Sequence, residues 1–298
     1  MKKFLAALLA AMLIPVGSLA ETIVTSFYPI YLFTLNLTEG IEGVEVRNLA
    51  APDTGCLHDY QLQTGDMKKL AGADAFLING AGMESYLTGV MDAFPQLAVV
   101  DASAGIELLC AEEDHDHDHD HAHGEYNAHV WLDAENAQTM VRNLAEGLIA
   151  ACPAHAETIA ANRDAYLARL AALDGEIDAA LQALPRKEIV TFHEAFPYFA
   201  NAYGLNVAAV VNREPSDSLS PAKLAELVKL VRELGVPPLF VEPQYEDMAA
   251  QTLARETGAK LYTLDPVVTG PENDVPLSYY EDVMRANVQV LLEALGAE

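Results

Sequence analysis

Between Ala154 and Leu184 the chain runs for about thirty residues without a proline and with one glycine, Gly175. Ile159, Tyr166, Leu167, Leu170, Leu173, Ile177 and Leu181 recur there at helical spacing on one side. The average globular helix is roughly 11–12 residues long, so few architectures accommodate this one. Its apolar positions keep no strict heptad, which argues against a coiled-coil arm. Short strand and helix patterns alternate both before and after it. The expected architecture is therefore α/β: two similar lobes, each a small, mostly parallel sheet with flanking helices, joined by one long rigid linker helix.

The first lobe reads as strands over Thr22 to Ser26, Val44 to Leu49, Ala75 to Ile78 and Leu97 to Val100. Helices are expected over Pro29 to Leu37, Thr64 to Leu70 and Met83 to Ala93. Glu135 to Ala150 is a further helix, ended by Pro153. The second lobe has strands over Glu188 to Phe192, Val207 to Val211, Leu239 to Glu242 and Lys260 to Leu264. Its helices span Phe196 to Ala202, Pro221 to Leu234, Asp247 to Glu256 and Leu277 to Leu295, with Pro221 at a favoured helix start. The division is a leader over 1–20, a first lobe over 21–134, a helical segment over 135–185 containing the linker 154–184, and a second lobe over 186–298.

Met1 to Ala20 has the form of a secretory signal peptide. Lys2 and Lys3 precede an apolar core from Phe4 to Pro15, and Ser18 and Ala20 supply the small residues of a cleavage site. No cysteine stands at the cleavage point, so a periplasmic location without a lipid anchor is expected, with no membrane insertion once the leader is removed. The formal charge of −27 argues against nucleic acid and anionic membranes as partners and suits a protein that attracts cations. In an oxidising compartment two of Cys56, Cys110 and Cys152 should pair. Cys56 with Cys110 is the expected bridge, because both lie in loops leading toward histidines. Thiolate coordination by Cys56 is the competing expectation.

Six of the nine histidines fall in CAEEDHDHDHDHAHGEYNAHVWLD, Cys110 to Asp133. His115, His117, His119, His121 and His123 alternate mostly with Asp. A period of two scatters such histidines around a helix and gives a strand nothing apolar to bury, so this is a mobile surface loop, 113–126. Histidine-rich tracts of this kind are metal binders, and these five residues are auxiliary metal ligands by expectation. His129 is different, because Val130, Trp131 and Leu132 follow it and imply an ordered setting. His58 follows the second strand, while His193 and Asp265 each end a strand of the second lobe. In open α/β sheets ligands bind beyond the carboxyl ends of strands. Three imidazoles and one carboxylate meeting there would hold a divalent transition ion in near-tetrahedral form.

The chain resembles the metal-binding receptors of bacterial zinc and manganese ABC importers, the zinc branch especially. The resemblance rests on CLHDYQLQTGDMKKL, ADAFLINGAGME, the His-rich insert, AHVWLD, TFHEAFPYFANAYGL, EPSDSLSPAKLAEL, LFVEPQYE and YTLDP, in order along essentially the whole mature chain. It implies two α/β lobes joined by a long helix, with metal between them. It carries ligand roles to His58, His129 and His193, and assigns the variable fourth position to Asp265. Relatives with Glu in place of His193 go with manganese, so His193 implies Zn(II) over Mn(II) as the transported ion. It also implies an ABC permease with a cytoplasmic ATPase as partners, a monomeric receptor and no catalysis. The family usually has an acidic or small residue where Cys56 stands.

Three other functions fit parts of the pattern: a manganese receptor of the same family, a secreted zinc hydrolase with Glu194 or Glu242 as base, and a metal-buffering protein that uses the His-rich loop alone. Against the hydrolase, HExxH and Gly-x-Ser-x-Gly are both absent.

Overall fold

The computed structural model of the chain describes residues 20–57, 60–111, 126–211, 220–244 and 248–296. The first lobe runs β1 (Glu21–Thr25), α1 (Tyr28–Leu37), β2 (Val44–Asn48), α2 (Thr64–Ala71), β3 (Ala75–Ile78), α3 (Leu87–Ala93) and β4 (Ala98–Asp101). Two helices follow, α4 (Ala134–Ala151) and α5 (Ala156–Gln182). The second lobe runs β5 (Glu188–Thr191), α6 (Pro197–Tyr203), β6 (Asn206–Val210), α7 (Pro221–Glu233), β7 (Leu239–Val241), α8 (Met248–Thr257), β8 (Leu261–Thr263) and α9 (Tyr279–Leu295).

Each lobe holds a four-stranded sheet, β2-β1-β3-β4 in the first and β6-β5-β7-β8 in the second. Every pairing is parallel. The two orders are equivalent, with the chain turning back at β1/β3 and at β5/β7. Parallel sheets must be covered on both faces, and strand alternation does this here. Ile23, Ala75 and Leu77 face one interior while Val24, Phe76 and Ile78 face another, beneath α2 and α3. In the second lobe Ile189 and Phe240 join the first of these interiors, and Val190 and Leu239 pack under α7 and α8.

The shared interior is continuous through both lobes, and α5 is its axis. Its 27 residues extend about 40 Å at 1.5 Å per residue. The buried row Ile159, Tyr166, Leu170, Leu173, Ile177 and Leu181 follows the period seen in the sequence. The helix packs along α1, α4, α6 and α9. Pro153 opens a single 3-10 turn, Pro153–His155, between α4 and α5. No helix among the described residues is long and apolar enough to cross a membrane.

Two expectations need correction. The helix read over Met83 to Ala93 begins only at Leu87. Glu84 instead folds its carboxylate back onto the Asn79 and Gly80 amides, at 2.8 and 3.1 Å, and residues 80–86 make turns around it. The Cys56–Cys110 bridge is not formed, and none of the three cysteines is in a disulfide. Cys110 is exposed at an isolated bridge to Tyr126, and Cys56 faces His129. The His-rich loop expectation, with His115, His117, His119, His121 and His123, lies outside the described residues, as does His58.

Candidate metal centre

The carboxyl edge of the second sheet supplies one side of the site. His193 stands two residues past β5 and Glu242 directly past β7, so they straddle the point where the second sheet reverses its order. That point is where open α/β sheets hold ligands. The His193 Nδ1 to Glu242 Oε1 distance is 2.7 Å, and Glu242 Oε2 accepts from Gln244 Nε2 at 2.6 Å. An ionised carboxylate only accepts, so Nδ1 carries the proton and Nε2 presents its lone pair. A carboxylate behind an imidazole is the usual support of a metal-binding histidine.

His129 is set by a different device. It precedes the 3-10 turn Val130–Leu132, in a segment pinned from both lobes. From the first lobe, Asn79 Nδ2 donates to Ala128 O at 2.9 Å. From the second, Tyr198 Oη donates to Asn127 O at 2.9 Å, and Asn127 Nδ2 donates to Glu194 O at 2.8 Å. That last bond fixes which way the Asn127 amide points. Its Oδ1 accepts the His129 amide at 2.9 Å and lies 3.1 Å from His129 Nδ1. Nδ1 is therefore the donor, and Nε2 is again the atom with the lone pair.

Trp131 locks the segment to the second lobe. Its Nε1 donates to Pro266 O at 2.7 Å, and its own carbonyl accepts from Tyr280 Oη at 2.6 Å. Its ring meets Phe27 edge-on, with centroids 5.2 Å apart, and lies 5.1 Å from the His129 ring. The two imidazoles sit 4.9 Å apart at 80°. Both are buried.

The third member comes from the loop after β2. Gly55 turns the backbone there with φ of 82°, and Leu57 is wholly buried, which sets Cys56 between them. Gly270 N donates to Pro52 O at 3.1 Å, tying the loop's start to the second lobe. Cys56 Sγ lies 3.4 Å from His129 Nε2. One ligand atom from each of Cys56, His129 and His193 lies within 4.8 Å of the others. Among the described residues this is the group able to hold a metal ion.

Of the expected ligands, His129 and His193 are brought together. Asp265 stands outside the cluster, although its backbone adjoins Pro266 and hence Trp131. Its Oδ1 accepts from the Val267 amide at 2.8 Å, and Asn287 bonds its backbone on both sides. Burial pushes its carboxyl above the usual carboxylate range, the Val267 amide pulls it back, and the charge of Glu242 raises it further. Sequence reasoning set Cys56 aside and missed Asn127 as an orienting residue. Glu242 was noticed only as a possible base, although a carboxylate ending LFVE beside a strand ending in TFH is a readable signal.

Two parallel-sheet lobes that together supply a Cys56–His129–His193 cluster, with both imidazoles buried, define a two-lobed metal-binding protein. The family described as "ZnuA: Zinc-uptake complex component A periplasmic" matches residues 23–294, and this chain belongs to it. That family is described as a zinc-uptake component of the periplasm. The zinc-binding protein AdcA of Streptococcus pyogenes serotype M3 is 32% identical over 285 residues, covering 90% of this chain and 55% of AdcA. The chain thus spans about half the length of such relatives. The high-affinity zinc uptake system protein ZnuA of Bacillus subtilis is 33% identical over 281 residues, covering 92% of this chain and 87% of that protein. The solved structure of FpvC from Pseudomonas aeruginosa in complex with Mn2+ superposes with a TM-score of 0.82 at 27% identity, covering 93% of this chain and 99% of FpvC.

Proposed function

We propose that the protein captures Zn(II) outside the cytoplasm and delivers it to the permease of an ABC importer whose ATPase lies on the inner side. The observation that carries this reading is the pair of buried imidazoles, His129 and His193, each with Nδ1 committed to an acceptor and each offering a ring nitrogen to the same cluster. Nitrogen and sulfur donors favour zinc, whereas manganese prefers oxygen. The zinc-binding relatives support the same ion.

The ligand set carried over from the resemblance is His58, His129, His193 and Asp265, with His115, His117, His119, His121 and His123 as weaker accessory ligands. Residues 1–20 act as a cleaved leader, and the mature receptor works as a monomer in the periplasm. Metal capture is a binding event in which the zinc ion replaces protons on its ligands. The interior shared by both lobes and the single long helix favour small adjustments over wide hinge closure.

Trp131, the only tryptophan, reports on the site from beside His129. Titration of apo protein with zinc and with manganese, followed by its fluorescence and by calorimetry, should show one tight zinc equivalent and weaker manganese. His129→Ala should abolish tight binding, while deletion of residues 114–123 should spare it. Flat calorimetry with a silent Trp131 would remove this function.

A further inference from the structure

Resting on that reading of the site, we propose that Cys56 is a direct sulfur ligand of the captured ion. It supplies the anionic donor that the family resemblance assigned to Asp265, and so selects a borderline-soft ion such as zinc against manganese. A tetrahedral zinc ion bound to sulfur at about 2.3 Å and to imidazole nitrogen at about 2.0–2.1 Å separates those two ligand atoms by about 3.6 Å. Cys56 Sγ and His129 Nε2 lie 3.4 Å apart. The nitrogen facing the sulfur is the one left with a lone pair when Nδ1–H donates to Asn127 Oδ1. His193 reaches the same cluster with its own Nδ1 held by Glu242.

Asp265 is less well prepared for the role. Its Oδ1 is engaged by the Val267 amide, and its carboxyl is not among the clustered ligand atoms. Cys56 enters no disulfide and keeps its thiol. On binding, the S–H bond is replaced by a metal–sulfur bond and the thiol proton leaves to solvent. Neutral imidazoles and one thiolate leave a divalent ion with a single net positive charge. Thiolate is a soft donor that suits zinc better than manganese, which favours oxygen.

A thiol merely hydrogen-bonded to His129 would give the same distance, and cobalt(II) separates the two cases. Cobalt bound to the full mature chain should show a sulfur-to-metal charge-transfer band in the near ultraviolet together with the visible bands of a four-coordinate ion. Cys56→Ser should lose the charge-transfer band and shift the visible bands to shorter wavelength, while Cys110→Ser leaves both unchanged. X-ray absorption at the zinc edge of the unmutated protein needs no variant and should find one sulfur at about 2.3 Å among nitrogens. Bound cobalt without a charge-transfer band, a band that survives Cys56→Ser, or a zinc shell without sulfur would overturn the sulfur ligand and leave metal capture standing. Failure of the unmutated protein to bind either metal would instead remove the capture reading itself.

Discussion

The two lobes repeat one strand order, yet they bring their ligands to the seam by opposite means. In the second lobe His193 and its supporting Glu242 leave neighbouring strands almost immediately, so sheet register alone puts them in contact. In the first lobe Cys56 lies in the loop beyond β2, and His129 enters far along the chain from β4. Their positions depend on side-chain hydrogen bonds through Asn79, Asn127 and Trp131, and on the Gly55 turn. A ligand on a strand end inherits the sheet's rigidity. One in a loop must be built in place by polar contacts, each of which can be lost singly.

The largest expected effect comes from removing a ligand on either side. His129→Ala or His193→Ala should lower zinc affinity at least a hundredfold by calorimetry, since each removes one ligand nitrogen from the cluster. Next is removal of the support. Glu242→Ala frees His193 to rotate and should cost about 10–100-fold in zinc affinity. The double variant with His193→Ala should be no worse than His193→Ala alone, since Glu242 acts through that ring.

The first lobe's scaffold should respond in stability. Trp131→Phe leaves the buried Pro266 carbonyl without its donor, for a loss of about 1–3 kcal/mol in chemical denaturation. The smallest effect, per unit of the variable changed, is with pH. Burial pushes the Glu84 carboxyl up to about 7 from an ordinary 4.5, against the pull of the Asn79 and Gly80 amides. Between these values the folded protein holds a proton that the unfolded chain has released. Stability should therefore fall as pH rises from 4.5 to 7, by at most about 1.4 kcal/mol per pH unit from this group. Glu84→Gln should flatten that slope, and an unchanged slope would mean that the turn under the first-lobe site does not titrate.

Most of the fold was legible because its signals are local. Apolar runs such as AFLI and EIVT are short, β-branched or aromatic in part, and bounded by turn residues. The row from Ile159 to Leu181 is long enough for its period to be read. Met83 to Tyr86 misled because their helical spacing is real, but Glu84 finds two backbone amides in the preceding turn. At the site, His129 and His193 were readable from their motifs and from strand ends. Cys56 was not, because an oxidising compartment made a disulfide the natural expectation, and only the place of its sulfur beside His129 speaks for coordination.

By itself the sequence determined two α/β lobes, a long helix between them, and histidines at the edges where sheets bind ligands. These follow from periodicity and chain order, which act over a few residues at a time. Tertiary structure alone decided which nitrogen of each imidazole faces the cluster, that Glu242 and Asn127 hold them, and that Cys56 meets His129 and not Cys110. Those outcomes depend on distances of a few ångströms between residues as much as 73 positions apart along the chain, and no local pattern encodes them.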